Sequence, residues 1–413
     1  MSKKIDERIP REVGKGALPD YPAIKTPWER LISYHDAAHF CSRYGATVAA
    51  SMMQVYRILV PDYEKRCEAI CKNAYARLYP VFSGPYGPVI GIDKHNAHPF
   101  CRGNFTGSLN GDSGDDRYLM CGRVTDFGTY RVEKELDICD WDIIGSELCR
   151  ATTQSLQGVA DGYAVHMKEG PRVEFHMVEA RGCGDRHCRI VAESREKYPM
   201  PEHKQWECFG PIATSDQIKD TTEEYTVKES MIFREETNYK FCNGTCMEED
   251  PSTALAGCAS ATGTDYLLPT FDDLIKDGTL DEKFVDHVIR CVFEAAGKTA
   301  FGDFYTKDAL RNWLGAPADV NDGRLMGAYL ETVMQCLTVP YEIEAFNKEE
   351  VIYLIDRAKL QRRMPRLVIA YLALWGGEVR TLAGAQWFLW EEPGDAGDDK
   401  VRIVIRKKID KYC

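Results

Sequence analysis

The chain has 413 residues, with 52 lysines and arginines against 64 aspartates and glutamates, a net charge of −12 and a pI near 5.4. That length can bury two or three cores, and so acidic a surface repels a phosphate backbone, which argues against nucleic acid as a partner. Met1–Gly16 is charged and lacks an apolar h-region, and no run reaches the ~20 apolar residues of a membrane span. The expectation is a soluble, cytoplasmic protein with no membrane partner, whose sixteen cysteines serve as buried filler, metal ligands or nucleophiles rather than disulfides.

Residues 1–26 are polar, with several Pro and Gly, and read as a surface arm. From Pro27 to about Tyr79 the pattern is helical. His35 and His39 fall four apart, a spacing that can share a metal, and Cys67 and Cys71 repeat the spacing. Ser83–Gly128 is rich in Gly, Asn, Asp and Pro and reads as a long loop carrying His95, His98 and Cys101. Asp140 to about Gly162 has a 3.6-residue apolar rhythm through Ile143, Ile144, Leu148, Leu156 and Val159. It feeds two strand-like runs, Val173–Val178 and Arg189–Ala192, joined by a turn with Gly182 and Gly184. Cys139, Cys149, Cys183 and Cys188 mark the corners of this unit. Residues 27–198 form the first module, and 199–269 a polar insert, poor in large apolar residues, with Cys208, Cys242, Cys246 and Cys258.

Residues 270–413 return to helices at Leu280–Gly297, Thr306–Leu314 and Gly323–Leu337. A strand-like YEIEAF, a helix from Lys348, another through Ala370–Trp375 and a terminal hairpin follow. The tail repeats the earlier hairpin. At one offset of 213 residues, Phe175, Glu179, Gly184, Asp185, Arg189, Ile190 and Val191 match Phe388, Glu392, Gly397, Asp398, Arg402, Ile403 and Val404. Average composition gives about one match in such a window. Upstream, ELDICDWDII aligns with EIEAFNKEEVI at an offset near 207. The four corner cysteines then face Phe346, Ile355, Ala396 and Val401. The fold expected is α+β, a tandem duplication of a helices-then-antiparallel-hairpin module forming a pseudo-two-fold pair, with 270–413 the degenerate copy.

Two chemistries suit the first copy. Cys183 and Cys188 flank a knuckle-like turn, and Cys242 and Cys246 flank another; two such pairs have the composition of a four-thiolate site for zinc or an iron–sulfur cluster. Alternatively Cys139, at the start of a helix, is a nucleophile, with His187 or His176 as base and Glu179 beside them. FSGPYGPVIG lacks the Lys-Ser/Thr ending of a phosphate-binding loop.

GDRHCRI (Gly184–Ile190) resembles the closing G-D-x-x-C-x-F hairpin of 4-vinyl-reductase-type domains, and LQGVADGYA (Leu156–Ala164) resembles their Gly-rich helix end. The layout is also similar to proteins of the 2-amino-thiazoline-4-carboxylate hydrolase type. The resemblance implies mixed α+β modules around a small-molecule pocket, often paired, which is compatible with a homo-oligomer. Its sensing branch holds zinc with a helix Cys, a Glu and two hairpin Cys. Cys188 falls on the last of these positions, and Glu179 lies near the acidic one. Ala180 stands where the first hairpin Cys belongs, Cys183 lies three residues on, and Cys149 precedes the helix position, occupied here by Gln154 or Ser155. Sensors of that type come attached to an ATPase or DNA-binding domain; no P-loop or helix-turn-helix is legible here. The functional expectation is a hydrolase-like enzyme acting on a small heterocyclic or amide-like substrate in the first module. The alternative is a non-catalytic sensor or carrier of a small molecule or metal.

Overall fold

The structure is a computed structural model that describes residues 22–83, 122–127, 131–136, 139–164, 173–194, 264–299, 304, 306–337, 339–362, 364–392 and 399–408. It is a mixed α+β chain that divides into two compact units, one holding Val60–Pro251 and the other Asp20–Leu59 with Ser252–Cys413.

The chain opens with the antiparallel pair β1 (Pro22–Lys25) and β2 (Leu31–Ser33), followed by a 26-residue helix α1 (Tyr34–Leu59). These count with the C-terminal unit. The first module therefore begins at Val60 rather than Pro27. An apolar stripe such as Phe40, Tyr44, Val48, Met52, Val55 and Tyr56 tells that a helix is buried, not which half of the chain buries it.

In the first unit α2 (Tyr63–Ser83) starts on Asp62, whose Oδ1 accepts the Lys65 N–H at 2.9 Å. Cys67, Ile70, Cys71 and Ala74 make its buried stripe. Then come β3 (Gly122–Phe127), β4 (Arg131–Leu136), a 3₁₀ turn at Asp140–Ile143 and helix α3 (Ser146–Ala164). β5 (Val173–Glu179), a 3₁₀ turn at Arg181–Cys183 and β6 (Cys188–Ser194) close it. The sheet is antiparallel with order β3-β4-β6-β5. α3 packs on α2 and on β5.

The second unit continues with α4 (Thr264–Lys276), α5 (Glu282–Gly297), α6 (Lys307–Leu314) and α7 (Gly323–Cys336). β7 (Tyr341–Phe346), β8 (Glu350–Asp356), the short α8 (Arg357–Gln361), α9 (Pro365–Leu382), β9 (Trp387–Glu392) and β10 (Lys400–Lys407) follow. Its sheet has order β7-β8-β10-β9, so in both sheets the third strand of the chain lies at an edge beside the fourth. The first residues of α2, β3, β4 and α3 (63, 122, 131, 146) and those of α5, β7, β8 and α9 (282, 341, 350, 365) differ by one shift of 219. The strand registers agree as well: Cys188 lies opposite Leu136 and Val401 opposite Ile355.

Several expectations change. Lys348 does not begin a helix; Val351, Ile352, Tyr353 and Ile355 are buried in strand β8, as β-branched and aromatic residues favour. The stretch Ser83–Gly128 is not all loop, since Gly122–Phe127 is β3. The helix expected from Asp140 is interrupted at Gly145, whose φ of 107° only glycine adopts freely. β8, not β7, holds the sheet position of β4, so the upstream alignment at 207 residues pairs the wrong strands. Of the insert expected over 199–269, residues 199–263, with Cys208, Cys242, Cys246 and Cys258, lie outside the described residues, as does the loop histidine cluster, and 264–269 open α4.

Candidate functional site

The chemistry-bearing side chains of the first unit gather where the Asp140–Ile143 turn, the first turn of α3 and the Arg181–Cys183 turn meet. The hairpin turn is self-assembled. Asp185 Oδ2 accepts the Ala180 N–H at 2.7 Å, the Cys183 and Asp185 N–H groups return to the Ala180 carbonyl, and Gly184 takes φ 97°. Arg181 fastens this turn to the other one: its Nη2 and Nε reach Asp142 Oδ2 at 2.8 and 3.1 Å, and its Nη1 reaches the Arg186 carbonyl at 2.7 Å. Gly182 fits against the helix start, where a Cβ would lie 2.6 Å from Cys149 Sγ.

Four free cysteines stand at this corner. Cys139 occupies the extended N-cap position of the Asp140–Ile143 turn and neighbours Cys188. Cys188, buried at the first position of β6, accepts the Arg181 N–H at 3.3 Å. Interaction with the neighbouring Cys139 thiol, the Arg181 N–H and the Arg181 guanidinium lower the Cys188 pKa, whereas interaction with Cys188 and burial raise that of Cys139. Burial and the nearby sulfurs of Cys188 and Cys183 push Cys149 up. Cys183 is exposed at the turn, and its thiol is raised chiefly by partial desolvation. The Arg181 N–H on its sulfur gives Cys188 a setting that favours the thiolate.

The other expected groups lie close by. His187 Nε2 is 2.6 Å from Glu179 Oε2 and 4.0 Å from Glu135 Oε2. His176 is buried in β5, its Nε2 3.9 Å from Glu174 Oε2. Thus His187 has Glu179 as its partner, and among the described residues no hydrogen bond joins it to Cys139, where the sequence suggested a Cys139–His187 couple. Cys242 and Cys246 lie outside the described residues. His35 and His39 fall in α1. Among the described residues no group of three or more His, Cys, Asp or Glu stands ready-made as a metal centre.

Sequence reasoning did not single out Arg181 or the support beneath the corner. Arg66 and Glu147 form a buried ion pair through Nε and Nη2 at 3.0 and 2.9 Å, and Arg66 Nη1 also caps the Val60 and Pro61 carbonyls. Tyr63 Oη and Ser146 Oγ meet at 2.8 Å, joining the starts of α2 and α3. Nearby Cys67 is pushed up to about 12 by burial, the behaviour of an inert filler. A charged residue inside an otherwise apolar stripe, such as Arg66 between Tyr63 and Ile70, was the available signal. No family model matches the chain, and neither a curated protein nor a solved structure shows significant similarity to it.

Proposed function

We propose that residues 63–194 and 282–407 are two copies of one α+β module, and that the thiol corner of the first is its working site. The duplication is supported by the single shift of 219 residues from Tyr63 to Ala164, the shared strand order, and details beneath them. Asp62 and Asp281 cap equivalent helices through Lys65 and Phe284. Glu147 stands opposite Arg366, and each makes a charge pair with the preceding long helix, to Arg66 in the first copy and, one position beyond the matching Val285, to Asp286 in the second. Counting from 219 before the hairpin and 213 within it, Cys139, Cys149, Cys183 and Cys188 face Ala358, Val368, Ala396 and Val401. Four thiols that converge in one copy are all absent from the other.

That joint presence carries the functional reading: a thiolate centre for a soft cation of the zinc class, built into a small-molecule-binding module. The donor set suits such an ion, and the hydrogen bond from the Arg181 N–H to Cys188 already favours the deprotonated sulfur that ligation needs. Zinc held by these residues would tie the start of α3 to the hairpin turn. Among the described residues no three donors stand ready-made, so Cys139, Cys149, Cys183 and Cys188 would hold the ion only after their side chains rearrange. Elemental analysis of anaerobically purified protein tests this. Near-stoichiometric zinc, lost in the Cys139→Ser/Cys188→Ser double variant, is expected. Protein free of metal after zinc is offered, with unchanged melting in the variant, rejects it.

A second reading rests on the same Cys188 sulfur. With the Arg181 N–H on its sulfur, Cys188 has the setting of a nucleophile toward a small acyl or heterocyclic substrate. Screening of heterocycle and amide hydrolysis, with loss of any activity in Cys188→Ser but not Cys183→Ser, separates this enzyme reading from the binding one.

A further inference from the structure

We infer that the second unit holds a binding site of its own, in which Glu331, with Tyr341 and Tyr353, takes the ammonium group of a small organic amine. Helix α7 turns Gly327, Glu331 and Gln335, one turn apart, toward β7 and β8. Gly327 sets the approach: a Cβ there would lie 2.8 Å from Val351 Cγ1, 3.0 Å from Tyr353 Oη and 3.1 Å from Phe346 Cε2. The Glu331 carboxyl, one turn on, therefore reaches the two phenols. Tyr353 Oη donates to its Oε1 at 2.7 Å and Tyr341 Oη to its Oε2 at 3.4 Å, while Gln335 Nε2 donates to Tyr341 Oη at 3.3 Å. The two rings meet edge to face with centroids 5.9 Å apart.

What this arrangement lacks is a cation. Glu331 is 7% exposed, and among the described residues no Lys, Arg or His forms an ion pair with it. A buried carboxylate without a counter-charge is costly, and an ammonium beside it supplies that charge. The residues suit this group over metal ions. One carboxylate and two phenols fall short of the about six to eight oxygens that calcium takes, and neither sulfur nor imidazole is there for a softer ion. A carboxylate flanked by aromatic rings is what an ammonium needs. The cluster lies at the open edge of the sheet, where Tyr341, Gln335 and Phe346 are half-buried and Ile343, directly across from Tyr353, is 49% exposed. An apolar body attached to the ammonium has that surface to lie on. The sheet does not require the phenols. The first sheet carries the same bulge, between Val124 and Asp126 where the second has it between Ile343 and Ala345, yet Gly122 and Lys134 stand at the places of Tyr341 and Tyr353.

The test is a calorimetric titration of the full chain at pH 7 with 2-phenylethylamine, a monocation, and with its neutral analogue 2-phenylethanol. The amine is expected to bind at least about tenfold more tightly than the alcohol. Glu331→Gln, which keeps the size and the hydrogen bonds, should remove that preference, and Tyr341→Phe should weaken amine binding about threefold. Equal affinity for amine and alcohol, or no amine binding by wild type, overturns the inference; this comparison needs no variant and stands whether or not one folds. A folded Glu331→Gln protein that binds the amine as wild type does overturns it as well, and shows the cluster to be a structural hydrogen-bond network.

Discussion

Gly158 and Gly377 occupy the same place in α3 and α9, each pressed against a carbonyl of the preceding long helix. A Cβ on Gly158 would lie 2.7 Å from the Tyr75 oxygen, and one on Gly377 would lie 2.2 Å from the Glu294 oxygen. The four residues obey one shift of 219, from 158 to 377 and from 75 to 294. Gly297 answers Gly377 from the other helix, with its own would-be Cβ 2.0 Å from the Leu374 carbonyl. Backbone lies on both sides of each contact, so no side chain can yield. Gly158→Ala and Gly377→Ala should each destabilise by ~1–3 kcal/mol, the overpacking cost, despite the better helix propensity of alanine. Urea melts in which Gly377→Ala matches wild type would show that the helices separate without penalty.

Much of the sheet was legible, because Phe175–Val191 and Phe388–Val404 share residues at hairpin positions where few alternatives fit. The helix rhythm of Leu148, Leu156 and their neighbours was equally plain. What misled was ELDICDW against EIEAFNK: two alternating acidic strands look alike whether they lie at an edge, as β7 does, or beside β6, as β4 does, and only hydrogen-bond register separates them. The four corner cysteines were visible, yet their convergence was not, since it depends on the break at Gly145 and the Arg181–Asp142 bond. Neither leaves a periodic trace.

The Arg66–Glu147 pair should be costly to break singly. Both side chains are nearly inaccessible, at 7% and 2% exposure. Glu147→Ala leaves the Arg66 guanidinium buried with the Val60 and Pro61 carbonyls and the Tyr63 ring but no counter-charge, and a loss of ~3–5 kcal/mol is expected. A charge-neutral replacement of both, Arg66→Met with Glu147→Leu, should recover most of that loss. Equal stability of the single and double variants would show that the pair contributes only packing.

Glu378 should make the second unit lose stability as pH rises. It is fully buried, the Tyr329 hydroxyl donates to its Oε1 at 3.2 Å, and its Oε2 has no hydrogen-bond partner among the described residues. Burial raises its pKa well above the ordinary 4.5. In the window between 4.5 and that raised value the native state holds a proton that the unfolded chain has released. Folding free energy from this group is therefore complete below pH 4.5 and diminishes by up to ~1.4 kcal/mol per pH unit above it. Glu378→Gln removes the titration, so its stability relative to wild type should grow from pH 4.5 to 8. Parallel stability curves for the two proteins would show that Glu378 is ionised in the fold.

Gly182 and Gly184 separate the packing of the thiol corner from its backbone. A Cβ on Gly182 would collide with Cys149 Sγ at 2.6 Å and lie 3.1 Å from the Gly145 carbonyl, whereas one on Gly184 meets nothing within 4 Å but carries the strain of φ 97°. Gly182→Ala should therefore turn the Cys149 thiol aside and lift the hairpin turn from the start of α3, at a cost of ~1–3 kcal/mol. Zinc occupancy should fall with it, and Cys149 should react with an aromatic disulfide reagent about tenfold faster than in wild type. Gly184→Ala should cost ~1–2 kcal/mol from the left-handed backbone and leave zinc content and Cys149 reactivity as they were. Reactivity and zinc content that follow stability equally in both variants would mean that the corner responds to general loosening. A Gly182→Ala protein with wild-type melting, zinc and thiol reactivity would remove Cys149 from the site.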